Sequence, residues 1–405
     1  MLTIGQTVKY NPAPVKLILL MEALSVLVNQ IFQVLLPWYI LVSADSVLWL
    51  GIAGFATIAP SIFSSLWGGT VIDKIGRSKT MLFCEALQLC LITSIPVLII
   101  FDKAKPALIS AIIFISGFFD EPGQMARRAL LPSYTRLAGI PLHQATGLKE
   151  ALDGIMSVAG PLAAGLVIAV YGPLKAWFCT VFLCFCIVMT ALRLFNGRKP
   201  RIKRTSATYR QVLTNLYKDN FLFKVITLTL PLFILGQSWE LLILPAYVHE
   251  HNYGSFFLGL MEAAFGLGAF AGALYFTAVG KRFKFFTVSA LNYTAYAVSV
   301  IVLMYSLPKS LVVAATALCG APYGAFTAMV ITIILSRIPE ETRGKTLGVF
   351  AAGAALTESI FIMIIAIMLN YFGLFNTLFS VLIVFALLIL AAILAGRNEK
   401  QPPLM

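Results

Sequence analysis

Charge is what this sequence has least of. Asp, Glu, Lys and Arg together make up 12% of its 405 residues, about half the share of a soluble globular domain. So few charges cannot cover the exterior of a chain this long in water, which argues against a large soluble enzyme. A hydrophobic content of 60% argues equally against a disordered chain. Cysteine is scarce too. The six cysteines all fall in apolar runs and form no Cys-x-x-Cys pair, so they read as small buried hydrophobes rather than disulfide, redox or metal groups. The chain has no GxxxxGK[ST] phosphate loop for an ATP-driven pump, no G-x-S-x-G and no H-E-x-x-H. His249-Glu250-His251 lacks a third ligand and reads as solvated. No enzyme activity, cofactor or metal is expected, and the polar first 15 residues lead into an apolar segment without a small-x-small cleavage site, so no cleavable signal is expected.

What the chain does have is apolar length. Hydrophobic blocks of roughly 20 residues, enough to cross a ~30 Å hydrocarbon core as a helix, recur between charged or Gly/Pro breaks. They predict spans over 16–41, 47–72, 80–101, 106–126, 142–170 and 173–195. A second set follows over 221–248, 255–279, 284–306, 309–335, 344–370 and 374–396. Between the sets lies a polar stretch carrying Arg198, Lys199, Arg201, Lys203 and Arg204. The expectation is an all-α membrane protein of twelve transmembrane helices. Residues 1–195 would form one six-helix bundle, 196–220 a basic linker and 221–405 a second bundle.

In a soluble protein a net charge of +13 would point to nucleic acid. Here the cations are sorted by side. The N-terminal segment, loop 2–3 (Lys74, Arg77, Lys79), loop 4–5 (Arg127, Arg128, Arg136), the central stretch, loops 8–9 and 10–11 and the tail hold nearly all of them. Only Lys103, Lys105, Lys175 and Lys309 stand opposite, and Lys149 lies within a span. The positive-inside rule puts both termini and the linker in the cytoplasm of a bacterial inner membrane. No nucleic-acid partner is expected; the basic linker could meet anionic lipid headgroups.

The halves repeat. Pro37 and Tyr39 near the end of span 1 recur as Pro245 and Tyr247 in span 7, and at the same spacing Gly51 of span 2 recurs as Gly259 of span 8. Gly76-Arg77 has a worn copy in Gly280-Lys281, where Thr277 replaces the acid Asp73. Parallel six-span repeats are a transporter device, with the substrate site between the halves near the midplane.

Gly69-x-x-x-Asp73-x-x-Gly76-Arg77-x-Lys79 resembles the loop 2–3 signature of the major facilitator superfamily. The resemblance implies that Asp73 and Arg77 latch the cytoplasmic face, with an acid at the cytoplasmic end of span 4, Asp120 or Glu121, joining them within reach of Arg77 or Arg127. Gly160-Pro161-Leu162-Ala163-Ala164-Gly165 resembles the span-5 signature of drug/proton antiporters, where Gly160, Pro161 and Gly165 would bend and closely pack the helix. Phe118 to Pro122, Ala129 to Pro132, Ala145 to Leu148 and Ile338 to Lys345 resemble the branch with macrolide-efflux and siderophore-export proteins. Lysophospholipid transporters share part of this pattern.

Nine acids fall inside predicted spans: Glu22, Glu85, Asp120, Glu121, Glu150, Asp153, Glu240, Glu262 and Glu358. Each intramembrane charge costs ~2.5–3.5 kcal/mol on insertion scales, so such residues face a cavity or a partner. Desolvation favours the neutral form of a carboxyl, and a group so placed can take up and release a proton. Glu22 and Glu358 lead as proton-coupling candidates, followed by Glu240 and Glu262. Ser25, Asn29, Gln30 and Gln33 follow Glu22 at helical spacing and are candidates to line the cavity. Lys149 and Asp153, i and i+4 on one helix face, read as a structural pair. The expected protein is a monomeric secondary transporter in the lipid bilayer that exports a small amphipathic molecule, drug- or siderophore-like, in exchange for protons. A siderophore importer, a lysophospholipid transporter and a non-transporting receptor of the same fold stay open as alternatives.

Overall fold

The structure, a computed structural model, describes residues 12–195, 220–279, 284–337 and 343–397. Long apolar runs, whose backbone polar groups a helix satisfies internally, form helices α1 (Ala13–Ala44), α2 (Val47–Ile75), α3 (Arg77–Ile100), α4 (Pro106–Ala138), α5 (Leu142–Tyr171) and α6 (Pro173–Phe195). Helix α7 runs through three segments, Asn220–Ser238, a π turn at Trp239–Ile243, and Leu244–Glu250. Then come α8 (Ser255–Val279), α9 (Phe285–Met304) and α10 (Lys309–Arg337). A last helical run, Arg343–Arg397, breaks at Gly373, whose φ of 75° and ψ of 175° no side-chain-bearing residue adopts easily. It divides the run into α11 (343–372) and α12 (374–397), where the sequence placed the break. Counted as helices, the described residues hold twelve. Ten runs meet the length and apolarity of a membrane crossing; the last of these contains Gly373, and α4 falls outside the criterion.

Helix α4 is the main correction. The sequence ended span 4 at 126 and left Arg127, Arg128 and Arg136 in a loop, yet the helix continues to Ala138 and the connection shrinks to residues 139–141. The cationic run does not stop the helix because its first member points inward: Arg127 is 2% exposed. The linker at 196–219 lies outside the described residues, as do Gly280, Lys281 and residues 338–342.

Two apolar cores hold the assembly. One gathers Met21, Met81, Leu130 and Leu194 in the half of the first bundle that holds the start of α1. The other runs from the opposite half of that bundle through the second, around Trp177, Trp239 and Phe326. Trp177 is fully buried, edge-on to Phe32 at 5.7 Å and to Tyr39 at 6.4 Å. Outward-facing Phe182, Tyr371 and Phe372 are each more than 60% exposed, as a lipid-facing surface requires.

The repeated glycines make equivalent contacts between the bundles. A Cβ on Gly51 of α2 would strike Ala366 of α11, and one on Gly259 of α8 would strike the Pro161 carbonyl of α5. Gly165 meets Ser255 and Gly259 from the other side, and Ser255 Oγ donates to the Gly165 carbonyl at 3.2 Å. Small residues thus bring α2 onto α11 and α5 onto α8 at backbone distance. The C-terminal ends of α1 and α7 also meet, with His249 Nε2 3.7 Å from Asp45 Oδ1.

Candidate functional site

In the half of the first bundle that holds the start of α1 and the end of α4, Arg127 is the centre of a buried network. Its Nε donates to Glu22 Oε2 at 2.9 Å, its Nη1 to Glu85 Oε1, and its Nη2 to Ser25 Oγ at 2.8 Å. Arg127 is 2% exposed by its side chain, and both glutamates are 6% exposed. Arg128 Nε stands 3.5 Å and Lys149 Nζ 3.8 Å from Glu22 Oε1. Lys149 also holds Asp153 one turn on and reaches Glu150 at 3.3 Å. Two carboxylates around one guanidinium satisfy the charges that burial would otherwise leave exposed to a low dielectric.

Glu22 and Ser25 both pair with Arg127 in the bundle interior, and Glu22, Arg127, Arg128 and Lys149 also line a cavity of about 190 Å³. Further along α1, Asn29 is exposed while Gln30 and Gln33 are half-buried, and Gln30 packs its Cβ against Gly160 of α5. Glu85 and Arg127 were missing from the sequence-based candidates. The signal that could have found Arg127 is the apolar run Ala129-Leu130-Leu131 just after it, which continues the helix past the cations.

Among the gate candidates, Asp120 lies within electrostatic reach of Arg127, as expected. Asp120 accepts hydrogen bonds from Gln88 at 2.9 Å and Gln124 at 2.8 Å, rather than from an arginine. Arg77 donates to the Ala129 carbonyl of α4 at 2.5 Å, tying the start of α3 to α4. Glu121 is half-buried on α4. Gly76 joins α2 to α3 at φ 95°, a conformation that explains why a glycine stands there. The side chains at Gly69 and Asp73 lie outside the described residues.

The second bundle treats its acids in the opposite way. Glu240 sits on the π turn of α7, Glu262 on α8 and Glu358 on α11. Glu240 lies within electrostatic reach of both of the others. Glu262 is 4% exposed and Glu358 9%. Among the described residues none of the three has a cationic partner, and Glu262 Oε1 is buried with no hydrogen-bond partner. Tyr296 of α9 and Tyr323 of α10 face the group, and Phe265 packs on Tyr323 at 5.4 Å.

The π turn has a local cause. The Leu244 N–H reaches back five residues to the Trp239 carbonyl, and Pro245 has no N–H to offer the Leu241 carbonyl four residues before it. The carbonyls of Glu240 and Leu241 therefore lose the donors an α-helix would supply. Single π turns of this kind recur at functional sites. The turn also borders the seam between the bundles: a Cβ on Gly54 of α2 would lie 3.9 Å from Leu241 Cβ.

Among the described residues no group of three His, Cys, Asp or Glu side chains converges to hold a metal ion. The Gly160–Gly165 segment does close-packing work, with Gly160 against α1 and Gly165 against α8.

Comparison with known proteins agrees with this architecture. The multidrug efflux pump Tap of Mycolicibacterium fortuitum is 25% identical over 333 residues, covering 80% of this chain and 81% of that protein. The staphyloferrin A transporter of Staphylococcus aureus (strain NCTC 8325 / PS 47) is 25% identical over 176 residues, 41% of this chain and 42% of that one. The crystal structure of the nucleoside transporter NupG superposes with a TM-score of 0.76 at 11% identity, covering 95% of this chain and all of that one. A family model described as Major Facilitator Superfamily matches residues 18–305 and 233–404. With paired six-helix bundles, small-residue seams between them and acids buried at membrane depth, the chain belongs to the Major Facilitator Superfamily and is a multi-pass membrane transporter of a small molecule, not an enzyme.

Proposed function

We propose that this transporter exports a drug- or siderophore-like amphipathic molecule across a bacterial inner membrane in exchange for protons, as a monomer with both termini and the linker in the cytoplasm. Residues 1–195 rock against 221–405, and the Asp73/Arg77 motif latches the cytoplasmic face. The observation that carries the coupling assignment is the contrast between the bundles. Glu22 and Glu85 share the Arg127 guanidinium, whereas Glu240, Glu262 and Glu358 have no cation of their own among the described residues. Carboxyls left uncompensated at membrane depth are the ones whose charge can be exchanged during transport. Export is supported by the similarity to the Tap efflux pump and by the Gly160-Pro161 segment.

The test is reconstitution in proteoliposomes with an internal pH dye. An imposed pH gradient is combined in turn with cationic drugs, macrolides, siderophores and lysophospholipids. Compound-triggered proton movement in the opposite direction to the compound is expected, and it should be lost in Glu240→Gln and Glu358→Gln while persisting in Lys149→Met. Co-directional movement would refute antiport. Proton-coupled flux that survives the Glu240→Gln/Glu358→Gln double variant would refute the placement of coupling in the second bundle.

A further inference from the structure

The π turn and the helices around it carry oxygen atoms of the kind a hard cation binds. The Glu240 and Leu241 carbonyls lack their helical donors because Leu244 bonds to Trp239 and Pro245 has no N–H. Ser238 Oγ, on the residue before the turn, is fully buried with no hydrogen-bond partner. Glu262 Oε1 is buried and unpartnered. Tyr296 OH is fully buried and unpartnered. That hydroxyl lies 3.5 Å from the Cβ position of Gly236, one turn before Glu240, and within electrostatic reach of both Glu240 and Glu262. A buried polar atom without a partner is rare in a native fold, and here Ser238, Glu262 and Tyr296 each carry one on α7, α8 and α9, the helices that hold Glu240 and its neighbours.

We propose that the π turn of α7, with the carboxyls of Glu240 and Glu262, forms a binding site for a monovalent alkali cation, sodium foremost, inside the second bundle. Unwound or bulged helix carbonyls together with carboxylate and hydroxyl oxygens suit such an ion, and discontinuous helices in other transporter folds hold sodium in this way. A divalent cation is disfavoured because no three acidic or imidazole groups converge among the described residues. The site has a mechanical consequence: Leu241, next to Glu240, packs beside Gly54 of α2 in the other bundle, so an ion that tightens the turn alters the seam. The inference rests on the reading that coupling resides in the second-bundle acids. The titratable groups facing the site are Glu240, Glu262, Glu358, Tyr296, Tyr323 and Cys319.

Trp239 gives a built-in reporter, since it is 1% exposed and packs edge-on to Tyr296 at 5.7 Å. The purified full chain in detergent is titrated with NaCl against choline chloride at constant ionic strength, following tryptophan emission, with Trp239→Phe identifying the share of that residue. A saturable sodium response is expected, weaker for potassium. Glu262→Gln should weaken it by about tenfold or more, and Pro245→Ala, which returns a donor to the Leu241 carbonyl, should weaken it without removing a carboxyl. The absence of a sodium-specific response, or a response unchanged in both variants, would overturn the site. Choline-only vesicles separate this from the transport reading. Proton-driven flux there with no sodium binding sinks the sodium site alone, whereas sodium binding with no flux of any tested compound sinks the export reading alone.

Discussion

Removing the Arg127 side chain is the sharpest test of the buried network, because its three hydrogen-bond partners are all inside the first bundle. In Arg127→Met, Glu22 and Glu85, each 6% exposed by its side chain, lose the guanidinium between them. Breaking a buried ion pair from one side costs about 3–5 kcal/mol. Two carboxylates are orphaned here, though Arg128 and Lys149 remain at 3.5 and 3.8 Å from Glu22, so the upper half of that range is expected. That corresponds to roughly three decades in the unfolding equilibrium. The assay is reversible unfolding in mixed dodecylmaltoside and SDS micelles. Arg127→Lys should fall between, since an ammonium keeps the charge but cannot fork to both glutamates. The triple variant Glu22→Leu/Glu85→Leu/Arg127→Met should recover most of the loss, because apolar replacement of a whole buried ionic group is near neutral. A cost below about 1 kcal/mol for Arg127→Met, or a triple variant no more stable than the single, would refute the reasoning.

Three further outcomes follow from the same geometry. Lys149→Met should cost much less than Arg127→Met in the same micelle assay, under about 1 kcal/mol, because its main partner Asp153 is 22% exposed and keeps contact with water. Gly76→Val should destabilise by roughly 1–3 kcal/mol, the range for forcing a side chain into an unfavourable backbone region, while Gly147→Val, where nothing lies within contact distance of the added Cβ, should stay closer to wild type. Gly259→Val should push α8 off the Pro161 carbonyl of α5 and loosen the outer closure. Cross-linking of Asp45→Cys with His249→Cys by a short thiol reagent, in a background lacking the exposed Cys90 and Cys179, should then drop several-fold, and unchanged yield would show that the seam does not govern the outer gate.

Much of this architecture was readable because membrane spans are written in local composition. Apolar blocks, the Gly373 break and the matched glycines Gly51 and Gly259 lie in the sequence itself, and the structure gives those glycines equivalent seams. The end of α4 was not readable. Arg127 looks like a loop cation until its counter-charges are known, and these come from Glu22 on α1 and Glu85 on α3, distant in sequence. The same limit applied to the acids. Sequence identifies which carboxyls lie at depth, but which ones are neutralised is a tertiary property. In the sequence, Pro245 reads only as half of a repeat. Its missing N–H, acting with the Leu244 bond to Trp239, is what turns that proline into a feature of the site, and Pro37 at the matching position lies within an uninterrupted α-helix.

The two bundles thus meet the same insertion cost by opposite means, and that difference bears on which of them can respond. A ligand or proton shifts a conformational equilibrium only through differential affinity for the two states. The Arg127 network has its described partners within one bundle, so rocking that bundle as a rigid body carries the whole network along with its contacts intact and offers little differential. The π turn is placed otherwise. It lies inside the second bundle, yet Leu241 touches α2 of the first across the Gly54 gap, and Glu240 beside it is only half-buried. Any separation of the bundles at that seam would change the surroundings of Glu240 and leave those of Glu22 unchanged. A repeat of two similar halves thus treats its buried charges in two ways: one bundle holds them in ion pairs, and the other leaves its carboxyls without a cationic partner among the described residues, beside the seam with the first.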